Sequence, residues 1–127
     1  MREYLPLFGR FGISLIFIIE GLYKALEYNV SIGILEEKGF PIPFIFLICS
    51  ILIEVLGGLA IVIGYKTSSA AYILSLYLIV VTAFLHPIWS DMTNYSGFVK
   101  NLAIIGGLFF LAYYGSGPKS VDTYYQD

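Results

Sequence analysis

A chain of 127 residues with 58% hydrophobic, 17% aromatic and only 13% charged residues is too apolar for a soluble domain, in which about a quarter of residues carry charge. Seven Lys and Arg against nine Asp and Glu exclude a nucleic-acid binder, which needs a basic excess, and a single cysteine excludes a disulfide-stapled secreted scaffold. What remains is an integral membrane protein.

The gaps between charges mark its spans. A helix needs ~20 mostly apolar residues to cross ~30 Å of hydrocarbon. The first such run predicts a helix near 7–28. It carries Glu20 and Lys24 and lacks an A-x-A cleavage pattern, so it is expected to be retained rather than removed as a signal peptide. Residues 31–38 (SIGILEEK) read as a short interfacial segment, with Ile32, Ile34 and Leu35 toward lipid and Glu36, Glu37 and Lys38 toward water. The Gly39-Phe40-Pro41-Ile42-Pro43 break places Pro43 in the first turn of a second helix, near 43–64. Gly64-Tyr65-Lys66-Thr67-Ser68-Ser69 is a turn that offers a Ser/Thr N-cap to a third helix near 69–87, closed by Pro87. A fourth helix is expected near 98–115.

Backbone in lipid must satisfy its own hydrogen bonds, and no period-two alternation marks a membrane β-barrel. The prediction is an all-α, polytopic membrane protein: a single transmembrane domain over 1–127, folded as an antiparallel four-helix bundle. Four spans put both termini on one side, called here the terminal side. Arg2, Arg10, Lys66 and Lys119 fall there, so the positive-inside rule predicts cytoplasmic N- and C-termini in the cell membrane.

Helix order gathers the ionisable groups in the other half. Glu20 and Lys24 lie near the far end of the first helix, and His86 ends the third. Lys100 and Asn101 begin the fourth. Glu54 stands eleven residues into the second, roughly 16 Å along its axis and near the midplane. Glu20 and Lys24 share a face at i,i+4 spacing, and Ser50, Glu54 and Gly58 form one stripe. Ser75, Thr82 and His86 form another. These stripes predict a polar pocket inside the bundle, open toward the far side. Its candidates for ligand binding or proton relay are Glu20, Lys24, Glu54, His86, Lys100 and Asn101. An intramembrane carboxylate points to function by default, with a structural ion pair as the alternative. Arg10, alone in the terminal half, is expected to snorkel. Cys49 is expected in the core, and Trp89 as an interface anchor.

No catalytic or redox motif is self-contained. One histidine cannot supply bis-histidine haem ligation. No cysteine cluster, dinucleotide fingerprint or P-loop is present, and nothing in the spacing favours a metal site.

The ordered segments LIFIIEGLYKAL (15–26), KGFPIP (38–43), IEVLGGLAIVIGYKTSSAA (53–71), TAFLHPIW (82–89) and FVKNLAIIGGLFFLAYYGSGPKSVD (98–122) resemble the DoxX family of small four-helix membrane proteins. Glu54 matches the family's glutamate before paired glycines, Lys24 its first-helix lysine, and Lys100-Asn101 its Lys-Asn pair. The family takes its name from a subunit of an archaeal thiosulfate:quinone oxidoreductase. The resemblance therefore implies a membrane subunit of an oxidoreductase complex that carries no cofactor of its own beyond a bound quinone or similar lipophilic ligand. Its partners would be the lipid bilayer and an oxidoreductase subunit or further copies of itself. A non-enzymatic scaffold or assembly factor is the rival reading. A small proton-coupled exporter is a third, and no inverted repeat supports it.

Overall fold

A computed structural model describes residues 2–39, 41–85 and 95–122. Among them the chain is helical throughout, and no strand occurs. After a 3-10 turn at Arg2–Tyr4 come α1 (Leu5–Leu26), α2 (Tyr28–Glu37), α3 (Pro43–Ile63), α4 (Thr67–Leu85) and α5 (Tyr95–Tyr114). Four of these, α1, α3, α4 and α5, are long and apolar enough to cross a membrane. Their outward faces carry exposed Leu, Ile and Phe, as lipid demands. Phe40, Pro87 and Trp89 lie outside the described residues.

The first span stops two residues earlier than the charge gaps suggest. Glu27 leaves helical geometry at φ −107°, ψ 52°, and α2 starts at once from Tyr28. The cause is packing: the Tyr28 ring meets Phe44 edge-on at 6.4 Å, and Leu35 is buried beside α3.

α1 lies along α3, and α4 along α5. The α1–α3 contact is close because Gly58 carries no side chain. A Cβ there would sit 2.8 Å from Ile18 Cγ1 and 3.1 Å from the Ser14 carbonyl. Ser50, Glu54, Gly58 and Ile61 all fall on the buried stripe of α3. Cys49 does not. It is exposed, because one residue back from Ser50 is a turn of ~100° away from the bundle.

The apolar core occupies the terminal half. Phe17, Ile61, Ala71, Leu74, Ile105 and Leu108 pack there with almost no exposure. α1 and α5 touch at this level, where Ile13 packs on Gly107, and elsewhere share little contact.

Arg10 corrects the expectation that it snorkels. It is 1% exposed and donates to the carbonyls of Ile61 (3.2 Å), Val62 (3.1 Å) and Lys119 (2.7 Å). The last carbonyls of α3 carry the negative end of the helix dipole, and with only the Gly64 N–H reaching Ile61 (3.1 Å) they have acceptor capacity to spare, so a guanidinium is favoured there. Gly64 closes α3 at φ +78°, and the chain turns immediately into α4. The α4 N-terminus is capped from afar. Asp122 accepts from the backbone N–H of Lys66 (2.7 Å) and Thr67 (2.8 Å), while its own N–H donates to the Gly64 carbonyl (2.8 Å). This replaces the local Ser/Thr cap expected for that helix. Partial burial alone would raise the Asp122 pKa. The two backbone donors and the Arg10 charge outweigh it and hold the carboxyl below its ordinary 3.8.

A carboxyl with a depressed folded pKa stabilises the fold above its unfolded value, and that contribution vanishes as pH falls through the folded one. Asp122→Asn, which removes the charge and one of the two acceptors, is therefore expected to lower stability at neutral pH by about 0.5 kcal/mol, the usual worth of a charge at a helix N-terminus. The gap from wild type should close below pH 3.8. Thermal melts of the detergent-solubilised protein across pH 3–7 test this.

Candidate functional site: a charged wall beside an open pocket

Lipid offers Glu54 no water, so its carboxylate must find its partners inside the bundle. It is 3% exposed on the inner stripe of α3. Lys24 of α1 reaches it, its ammonium donating to Oε1 in a direct ion pair. The Tyr77 hydroxyl of α4 donates to the same oxygen at 2.5 Å, and Lys24 Nζ also donates to the Tyr77 oxygen at 3.0 Å. Three helices are thus joined at one carboxylate oxygen. The fourth is tied in separately: Asn101 of α5, 7% exposed, donates through Nδ2 to Thr82 Oγ1 of α4 at 3.0 Å.

This polar cluster forms the wall of a cavity of about 170 Å³ between α1, α4 and α5, in the half of the bundle away from the termini. The cavity exists because α1 and α5, in contact at Ile13 and Gly107, hold nothing between them farther along. Glu20, Lys24, Glu54, Lys100 and Asn101 all border it, with Tyr77. Phe17, Leu78 and Ile104 supply its apolar surface. Five of the six sequence candidates therefore share one chamber. The sixth, His86, lies outside the described residues. Glu20 and Lys100 are exposed and stand at the rim, and Lys24 is half-buried.

One pairing differs from the sequence reading. Lys24 serves Glu54 and not Glu20, its i,i+4 neighbour. Glu20 is exposed and can be solvated at the rim, whereas the buried Glu54 cannot, so the ammonium goes where desolvation is greatest. Tyr77 was missed. Its signal is a tyrosine ten residues into a span, far from either interface, where a phenol is seldom placed without a partner. Among the described residues no group of His, Cys, Asp and Glu is arranged to hold a metal.

A family model described as DoxX matches residues 5–87, which covers α1 to α4. The chain is 32% identical over 127 residues to the inner membrane protein YphA of Escherichia coli K12, an alignment covering 95% of this chain and 90% of that protein. Inner membrane protein YqjF of the same organism is 32% identical over 116 residues, or 91% of this chain and 88% of that protein. The ER-derived vesicles protein ERV29 of Saccharomyces cerevisiae is 34% identical over 79 residues, 58% of this chain but 25% of that protein. No solved structure matches the chain.

Removing one partner of a buried ion pair strands the other, typically at a cost of about 3–5 kcal/mol, while removing both is far milder. Lys24→Met and Glu54→Leu are each expected to destabilise strongly, and the double variant by much less than their sum. A double-mutant cycle of unfolding in detergent checks this. Additive losses would mean that the two side chains are not coupled.

Proposed function

Because the chain belongs to the DoxX family and is a multi-pass protein of the cell membrane, we propose that it serves as a membrane subunit of an oxidoreductase complex, holding the headgroup of a quinone or similar neutral lipophilic ligand against the Lys24–Glu54–Tyr77 wall. The observation that carries this reading is the pocket itself. A pair needed only to staple helices is best buried under tightly packed side chains, yet this one faces open space bordered by Glu20, Lys100 and Asn101.

The residues fit such a headgroup. Drug-sized ligands occupy ~300–1,000 Å³. A cavity of about 170 Å³ therefore takes a single ring and leaves an acyl or isoprenoid tail in the bilayer. Lys100 at the rim and Lys24 in the wall carry N–H donors suited to a carbonyl oxygen, while Tyr77 gives its single proton to Glu54. Phe17, Leu78 and Ile104 provide the apolar walls expected around a ring. A quinone bound there would supply two-electron, two-proton redox chemistry. The chain's own part is to orient the ring and to hold a proton on Glu54 Oε1 or the Tyr77 hydroxyl, within one donor of the pocket. The electrons would come from a centre on a partner subunit, since one cysteine and one histidine provide neither an iron–sulfur nor a bis-histidine haem ligand set.

A scaffold or assembly role is the second reading. It draws on the fact that Lys24, Glu54 and Tyr77 satisfy one another without any ligand.

The two readings separate on purified protein. Lipid extraction is expected to recover quinone near stoichiometry, and added short-chain quinone should raise the melting temperature of quinone-stripped protein. Lys100→Met, which removes a donor at the pocket rim, should weaken that shift. No retained quinone, together with no shift, rejects the ligand role and leaves the scaffold.

A further inference from the structure

Ser50 sits one turn before Glu54 on the inner stripe of α3 and is 2% exposed. Its hydroxyl has no hydrogen-bond partner in the protein. Two equally buried serines show the ordinary solution: Ser14 returns its hydroxyl to the Phe11 carbonyl at 3.1 Å, and Ser75 returns its own to the Tyr72 carbonyl at 2.8 Å. Such back-bonding is the default for a serine in an apolar helix. Ser50 forgoes it, and a buried hydroxyl in that state needs water or a ligand.

Space for one is present. Ser50 borders a second cavity of about 230 Å³, enclosed by α1, α2 and α3 and distinct from the pocket between α1, α4 and α5. Leu35, Phe46 and Leu47 line its interior, and Ser31 and Lys38 contribute polar atoms from the α2 side. Glu20, Lys24 and Tyr77 border both cavities, so the charged cluster is the partition between them. Tyr23 and Lys38 are exposed at the edge of the second cavity, at the end of the bundle where α2 lies.

We propose that this second cavity is a water-filled vestibule, open to the aqueous phase beyond α2, that hydrates the Ser50 hydroxyl and brings water to Lys24 and Tyr77, the two partners of Glu54. A buried water needs two to four polar partners and about 30 Å³ of liquid volume. The cavity provides room for several, with Ser50, Ser31, Lys38 and Glu20 spread along it. An acyl chain would fill the space equally well but would leave Ser50 and Ser31 without partners. Lys24 and Tyr77 line this cavity while donating to Glu54, which itself borders the pocket against α5, and Glu20, Tyr23 and Lys38 are the other titratable groups around the cavity. Nothing in this arrangement depends on what fills the pocket against α5.

Cysteine accessibility tests it in the full-length protein in proteoliposomes. Cys49→Ser removes the native thiol, and Ser31→Cys, Ser50→Cys and Ser75→Cys are then introduced one at a time. The probe is a charged, membrane-impermeant methanethiosulfonate added to each side in turn. Ser50→Cys and Ser31→Cys are expected to react from the α2 side alone, at least about tenfold faster than Ser75→Cys, because only a hydrated thiol ionises readily. Should Ser50→Cys fail to fold, Ser31→Cys decides. Rates no higher than Ser75→Cys, reaction from the terminal side, or reaction only with a lipophilic maleimide would each overturn the proposal. The last result would mean that lipid, not water, fills the cavity. Quinone retention by the wild-type protein is read separately, so either result stands alone.

Discussion

The ion pair between Lys24 and Glu54 is the constraint around which the far half of this bundle is arranged. A carboxylate near the membrane midplane cannot be solvated by lipid, and its attraction for an ammonium grows as the local dielectric falls. Lys24 therefore ties α1 to α3, and the Tyr77 hydroxyl brings α4 to the same oxygen. Asn101 then joins α5 to α4 through Thr82. These contacts fix which faces of the four spans look inward, a task that apolar side chains perform poorly in lipid, where every outward Leu finds an equally apolar neighbour.

The opposite end follows a different logic. There the charges serve backbone rather than one another. Arg10 satisfies the spare carbonyls at the end of α3, and Asp122 satisfies the spare amides at the start of α4. Both groups act on helix termini, where the dipole and unpaired peptide groups favour them. The residues after α5 thereby close the terminal end, with Lys119 and Asp122 bound to the α1–α3–α4 junction. Between this closed end and the polar half lies a dry core, in which Ile13 keeps α1 and α5 together. The two cavities bordered by the charged cluster open beyond that contact.

Much of this was legible in the residues alone. Runs without charge mark the four spans, and helix order alone sends Glu20, Lys24, Glu54, Lys100 and Asn101 to the same half. The stripe of Ser50, Glu54 and Gly58 follows from a period of 3.6. What escaped the sequence was choice among partners. The i,i+4 spacing favours Glu20 for Lys24, and only packing shows that Glu54 is the more deeply desolvated acid. Arg10 and Asp122 meet groups more than fifty residues away, and no local pattern marks such a pairing. Tyr77 reads as one apolar ring among many until Glu54 is placed opposite it. Cys49 faces outward because burial in a two-sided helix is decided residue by residue, not by composition.

The charge count of the first pocket bears on what can enter it. Glu20 and Glu54 are matched by Lys24 and Lys100, so the groups bordering the chamber sum to zero. A substrate ion entering this low-dielectric space would bring a net charge that nothing in the wall offsets, and the penalty would repeat at every turnover. A neutral headgroup with acceptor oxygens adds no charge. In the ligand role proposed above it would meet the lysine donors while its tail stayed among the exposed leucines and phenylalanines of the outer face. The balance that lets the Lys24–Glu54 ion pair persist in a membrane is thus also the one that the proposed uncharged guest would leave undisturbed.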